Sequence, residues 1–281
     1  MIKIAIIMTV FNRHEKTRKC IQSILDNKKK DYLIDFYITN DGSTDQTSAV
    51  LESLEKENPM SKFLVYNADK SLFWCKGMHV SYGNALRCEY NFYIWVNNDV
   101  EFLDNFIDHL LLDYENAKLI NYLSIITGTM KWNKSEEVSY GGGVYKSKLH
   151  LTNVLIQPNG YIQECQNING NCLLIPHEVA LKLGNIEEQY EHGFGDFDYG
   201  YRLLAQGGKL YVSSKFLGVC NRNKKQGTWE DASLSRKERA KLLKSAKGLP
   251  TKTYKLFLKR WFPKVWIIHY IKPYIKIIFN R

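Results

Sequence analysis

What the chain lacks narrows its class before any motif is read. Its six cysteines never fall at Cys-x-x-Cys spacing, which argues against a zinc ribbon or a disulfide framework and predicts a reducing, cytoplasmic setting. No internal repeat or low-complexity block is present, and 44% apolar with 24% charged residues is the balance of a globular chain rather than a disordered one. Long hydrophobic runs are missing too. In the C-terminal region the longest uncharged stretch is Val265 to Ile271, far short of the about 20 apolar residues that a membrane-spanning helix needs. The apolar start, Met1 to Thr9, is followed by no small-residue cleavage site and is expected to be a first strand. Acids are absent from the end of the chain. Lys241 to Arg281 hold eleven Lys or Arg and no Asp or Glu, so the formal net charge of +10 resides there and residues 1–240 sum to −1.

That basic segment also carries Tyr254, Phe257, Trp261, Phe262, Trp266, Tyr270, Tyr274 and Phe279, a mixture suited to a membrane interface. It predicts a tail over 236–281 that lies on an anionic membrane surface, peripheral at the inner face of the cell membrane. Pro263 and Pro273 should divide it into two or three short helices, since each removes a helical hydrogen bond. The rival reading packs Trp261, Trp266 and Tyr270 on the rest of the fold or on a second subunit. A nucleic-acid role for the tail would show as salt-sensitive duplex binding; the reading adopted is membrane, not nucleic acid.

With 281 residues there is room for one large α/β core and an extension. Strands are expected at Lys3 to Thr9, Ile34 to Thr39, Lys62 to Tyr66 and Tyr93 to Val96. Helices at about Arg13 to Asn27, after Ser43, from Lys76 to Cys88 and from Leu103 to Tyr114 alternate with them, which implies a mostly parallel sheet with right-handed crossovers. Further on, Ile125 to Met130, Leu151 to Ile156, Cys172 to Ile175 and Leu210 to Ser213 read as strands. Ser139 to Tyr145 reads as a glycine-rich turn or bulge, and Asn221 to Trp229 as a polar loop over the site.

Three acidic clusters stand where elements end or begin: Asn40-Asp41-Gly42-Ser43-Thr44-Asp45, Asn97-Asn98-Asp99 and Gly195-Asp196-Phe197-Asp198. Open α/β sheets bind ligands at the carboxyl ends of their strands, so the three clusters predict one shared site. Each has a bland counterpart. Asp-Gly-Ser-Thr-Asp is also a helix cap, Asn97 and Asn98 can satisfy turn backbone, Asp198 can pair with Arg202 one helical turn on, and Trp74 can simply pack.

Four segments in order resemble those of the inverting GT-A glycosyltransferases of family 2: Thr9-Val10-Phe11-Asn12-Arg13, Asn40 to Asp45, Val96-Asn97-Asn98-Asp99 and Gly195-Asp196-Phe197-Asp198. Leu72-Phe73-Trp74-Cys75-Lys76-Gly77-Met78 and Gly227-Thr228-Trp229 further resemble its rhamnosyltransferase-like branch, which builds bacterial surface polysaccharides such as O-antigen or capsule. The resemblance covers about residues 1–235 and implies a Rossmann-like GT-A catalytic domain over them, with a nucleotide-sugar half at 1–100 and an acceptor half at 101–235. It implies hexosyl or N-acetylhexosaminyl transfer from a UDP- or dTDP-sugar, a Mg2+ or Mn2+ cofactor, and a polyprenyl-diphosphate-linked saccharide acceptor. Thr9, Phe11, Arg13, Asp41, Trp74, Asn98 and Asp99 would then bind the donor, Asp99 would ligate the metal, and Asp196 would be the catalytic base. Asp198, Arg202, Thr228 and Trp229 would face the acceptor. The chain departs from the family pattern at Asn98, where a second carboxylate is usual, at Gly195, which replaces a Glu, and near Cys220, where no His stands. A nucleotidyltransferase would show a glycine-rich loop with Arg after strand one, and none is present. The alternative of another class is a non-catalytic sugar-nucleotide-binding or membrane scaffold protein with a degenerate metal site.

Overall fold

The computed structural model describes residues 1–69, 72–133, 135–147 and 151–279. Its first part alternates as the hydrophobic pattern requires: β1 (Ile2–Val10), α1 (His14–Asp26), β2 (Tyr32–Asn40), α2 (Thr47–Glu57), β3 (Phe63–Asn67), α3 (Phe73–Ala85) and β4 (Phe92–Asn97). Ile4, Ala5, Ile6, Ile7 and Met8 are buried in succession, the mark of a strand covered on both faces. β1 pairs in parallel with β2 and β4, and β2 with β3. In that register Thr9 stands beside both Thr39 and Asn97, so β1, β2 and β4 release their chains at one sheet edge.

Next come β5 (Glu101–Phe102), α4 (Phe106–Ile120), β6 (Ser124–Lys131), β7 (Val138–Tyr140), β8 (Gly143–Tyr145), β9 (Asn153–Leu155), β10 (Gln163–Glu164), β11 (Cys172–Pro176), α5 (His177–Leu183), α6 (Gly195–Ala205) and β12 (Lys209–Val219). The central sheet runs β10-β12-β6-β11-β4-β1-β2-β3, flanked by helices as expected for a GT-A fold. The sheet is mostly parallel, as expected, with β11 entering antiparallel between β4 and β6. A fully buried apolar run such as Cys172 to Ile175 carries no signal of direction. The expected glycine-rich turn at Ser139 to Tyr145 takes in the end of β7 and all of β8, and the expected strand at Leu151 to Ile156 is the shorter β9, paired with β8.

The C-terminal segment forms α7 (Arg236–Leu243), α8 (Thr251–Trp261) and α9 (Trp266–Phe279), with α7 opened by a capping box between Ser235 and Glu238. Pro263 falls between α8 and α9, but Pro273 lies inside α9, contrary to its expected role as a divider. A proline there leaves the carbonyl of His269, four residues back, without its usual helical donor, and the Tyr254 hydroxyl supplies one at 3.0 Å. Nor is this segment a detached tail. Phe257 and Leu258 are buried in a cluster with Cys75, Tyr190 and Tyr201, and Trp261, Phe262, Trp266 and Tyr270 pack against it. These aromatics face the fold because their area is best buried there. On α9, Ile267, Ile268, Ile271, Ile275, Ile278 and Phe279 are left exposed; at 3.6 residues per turn they fall within a sector of about 120°. Among the described residues no helix is long and apolar enough to cross a membrane. Asn280 and Arg281, the end of the expected tail, lie outside the described residues.

Candidate active site

The loops after β1, β2 and β4 are tied to one another by side chains. Asn12 and Arg13 both adopt left-handed φ, 54° and 63°, which is uncommon for residues other than glycine. The turn is fastened to the β2 loop: the Asn12 N–H donates to Ser43 Oγ at 2.9 Å, and the Thr44 N–H donates to Asn12 Oδ1 at 2.8 Å. Arg13 thereby reaches Asp99, with NH1 3.4 Å from Oδ2. Thr9 sits over α3 at Gly77, where a Cβ would come within 2.5 Å of its side chain, so glycine permits this approach. Phe11 is exposed at the same edge.

Asp41 is 5% exposed, and its two carboxylate oxygens accept from the N–H groups of Leu72 and Phe73 at 3.0 Å each. It therefore anchors the start of α3, where Phe73 has a φ of 55°. Asn98 donates to Thr17 Oγ1 at 2.9 Å, fastening the end of β4 to α1 through its side-chain nitrogen. Asn97 is the bridging residue. Trp74 Nε1 donates to its Oδ1 at 2.7 Å, and its Nδ2 donates to Asn171 Oδ1 at 3.0 Å.

Trp74 leads from this loop to the second acidic centre. Gly170 lies against its indole so closely that a Cβ would stand 2.4 Å from the ring, and the Gly170 N–H donates to Asp196 Oδ2 at 3.0 Å. Asp196 Oδ1 accepts from the Phe197 N–H at 2.9 Å. Phe194, which precedes α6, has a φ of 76°, a strained value for a bulky residue at the mouth of a site. Asp196 is 9% exposed. Burial pushes its carboxyl up to about 6, against the opposing pull of the Gly170 and Phe197 N–H groups. A carboxylate so placed is ionised at neutral pH yet more basic than usual, which suits it to accept a proton.

Asp198, two residues on, is 0% exposed. It accepts from Arg202 Nε at 3.1 Å, Arg260 NH1 at 3.1 Å, Trp261 Nε1 at 2.8 Å and the Tyr190 hydroxyl at 3.2 Å. Arg202 also donates to the carbonyls of Leu183 and Asn185 at 2.8 Å each and stacks on Tyr199. Asp198 is thus sealed from solvent, and Arg202 is engaged with protein partners on each of its three guanidinium nitrogens. The Thr228 hydroxyl closes a turn onto the Lys225 carbonyl. Trp229 faces α9, with Lys276 Nζ 5.2 Å from its ring centre. The loop that carries them is pinned to β7 where Arg222 Nε donates to the Ser139 carbonyl at 2.9 Å. Phe197, next in the chain to Asp196, helps line a polar cavity of about 260 Å³ together with Asn153, Asn167, Asn169 and Arg222 among others. Sequence reasoning misses Gly170 and Asn171; the available signal was an Asn-Gly-Asn turn directly before a buried strand.

Asp99 is the carboxylate best placed for a cation. Its Oδ1 lies 3.7 Å from Cys220 Sγ, and burial together with the Asp99 charge pushes that thiol up to about 12. Among the described residues no group of three or more His, Cys, Asp or Glu is assembled to hold a metal. One carboxylate still fits an ion such as Mg2+, which uses one or two protein carboxylates and completes its shell with water and substrate phosphate.

Comparison with known proteins agrees with this architecture. The family model described as glycosyl transferase family 2 matches residues 5–168. No curated protein matches the chain. A mannosyltransferase from Pyrobaculum calidifontis, solved with GDP-Man and Mn2+, superposes with a TM-score of 0.59 at 10% identity, over 98% of this chain and 72% of its own. GalNAc-T7, solved with UDP, GalNAc and Mn2+, gives 0.64 at 12% identity over 98% of this chain; the match takes in 55% of GalNAc-T7. Residues 1–349 of TarS from S. aureus, solved with UDP, give 0.57 at 15% identity over 99% of this chain and 81% of that one. At such identities the likeness is one of fold.

Proposed function

Since the chain belongs to glycosyl transferase family 2, we propose that it transfers a hexosyl or N-acetylhexosaminyl group, with inversion, from a UDP- or dTDP-sugar to a saccharide carried on polyprenyl diphosphate, in bacterial surface-polysaccharide assembly. The observation that carries this reading is Asp196: a buried carboxyl raised to about 6, held by two backbone N–H groups. Through Gly170, Trp74 and Asn97 it is linked to the loop that bears Asp99.

Asp196 takes the proton of the acceptor hydroxyl as its oxygen attacks the anomeric carbon on the face opposite the departing nucleotide diphosphate, so the configuration inverts. Gly170 and Phe197 hold the two carboxylate oxygens in place before substrate arrives. Asp99 would hold a Mg2+ or Mn2+ ion, which when bound neutralises charge gathering on the leaving diphosphate. Arg13, paired with Asp99 across the loop, supplies a further positive charge at that edge. Asp41 spends one lone pair of each oxygen on α3, and the second of either can accept the imide N–H of uracil or thymine, a donor that cytosine and adenine lack; Thr9 and Phe11 border the same edge. The exposed isoleucine stripe of α9 and the eleven Lys or Arg of the last 41 residues support attachment to an anionic membrane at its cytoplasmic face.

The test is nucleotide release from a panel of nucleotide-sugars with Mn2+. The reading expects UDP or dTDP to be released from at least one donor and no release from ADP- or CMP-sugars. Binding of UDP without release from any donor, with or without lipid-linked acceptor, would instead make the chain a sugar-nucleotide-binding scaffold.

A further inference from the structure

A second cavity, of about 360 Å³, adjoins the polar one and shares Asn153 and Phe197 with it. Phe197 follows Asp196 directly, so this second chamber opens one residue from the proposed base. Its wall is aromatic and aliphatic: Tyr145, Phe194, Trp229, Tyr254, Phe257 and Phe262 contribute. The side supplied by α9 is basic, with Lys272 and Lys276. Lys276 is taken up by Glu230, with which it forms an ion pair. Lys272 is exposed and has no ion-pair partner among the described residues.

We propose that this chamber binds the carrier end of the acceptor, an apolar chain joined to the acceptor saccharide through phosphate, with Lys272 facing the phosphate. The inference rests on the transferase reading and deepens it. A saccharide alone would not match an apolar chamber, whereas an amphiphile matches each part in turn. Its sugar hydroxyls meet the amides of Asn153, Asn167 and Asn169 in the polar cavity, its anionic link meets Lys272, and its apolar chain meets the aromatic wall. Position on α9 fits the same occupant. At 100° per residue, Lys272 stands between the exposed isoleucine stripe and the inward face formed by His269, Pro273 and Ile277, so a chain entering past it comes from the side that offers an apolar surface.

The experiment uses farnesyl diphosphate as the probe, read by calorimetry on the full chain, with pyrophosphate and farnesol as controls and UDP with Mn2+ titrated in the same preparation. Saturable binding of farnesyl diphosphate at least about tenfold tighter than either control is expected. Lys272→Glu should weaken it at least about tenfold, and Leu151→Trp, which fills the chamber from a partly exposed position, should weaken it as well, each at an unchanged melting temperature. Ile271→Ser and Ile275→Ser, on the outer stripe, should leave it within about twofold. If farnesyl diphosphate binds no better than pyrophosphate while UDP binds normally, the carrier subsite is wrong and the transferase reading stands. If the stripe variants rather than Lys272→Glu abolish binding, the chain is adsorbed on the outside of α9 and the subsite is again wrong. Failure of UDP binding in the unaltered protein would remove the reading beneath it.

Discussion

The strand-end loops of β1, β2 and β4 and the junction of α6 with α8 both gather carboxylates, and they treat them in opposite ways. At the strand ends, Asp99 meets one half-exposed guanidinium and a neutral thiol, leaving charge that a cation or diphosphate can exchange with. At the junction, Asp198 is enclosed by Arg202, Arg260, Trp261 and Tyr190, so nothing from solution competes for it. Asp196 sits between the two regimes: buried like Asp198, yet bonded only by backbone N–H groups among the described residues. The difference teaches that depth does not set the role of an acid here. What its lone pairs already hold does. Two acids on one helical turn thus divide into a proton acceptor and a structural post.

Three substitutions sharpen this contrast, from the largest expected effect to the smallest. Asp99→Ala should remove the Mn2+-dependent part of UDP affinity entirely while leaving the melting temperature unchanged; calorimetry with and without EDTA reads both outcomes, and retained Mn2+ dependence would return Asp99 to a structural role. Asp198→Ala should do the reverse. It strands two guanidinium groups at a buried junction, a loss of about 3–5 kcal/mol for breaking such a pair from one side. Urea unfolding measures it, and a loss under about 1 kcal/mol would mean that the network is not what joins α8 to α6. Trp74→Phe keeps the ring but deletes the 2.7 Å donor to Asn97, which should cost about 1 kcal/mol in the same unfolding assay.

The first hundred residues were the legible part, because period-3.6 and alternating apolar patterns are local and the chain leaves β1, β2 and β4 at polar residues. The order and spacing of Asp41, Asp99 and Asp196 could be read for the same reason. The direction of β11 could not, since a strand buried on both faces reads alike either way. The bond from Asn98 to Thr17 could not be read either, because Thr17 lies on α1, far away in sequence. The sequence could not choose between membrane and core for Phe257, Trp261, Phe262, Trp266 and Tyr270, which pack on the fold, for a related reason. Interfacial and core aromatics have the same composition, and only the contacts of Phe257 and Trp261 with α6 residues tell them apart. The isoleucines of α9, ordinary in the sequence, turned out to be the outward face.

The most direct test of the account is the pH dependence of kcat/KM for transfer or donor hydrolysis, in the unaltered protein and in Asp196→Asn. A raised carboxyl must lose its proton before it can accept another, so activity should be low in acid and rise with a midpoint of about 6. In Asp196→Asn that limb should vanish and turnover should fall about 100-fold or more, with UDP affinity kept. A profile that is flat from acid to neutral pH in the unaltered protein, or the same limb persisting in the Asn variant, would contradict the assignment of Asp196 as the base.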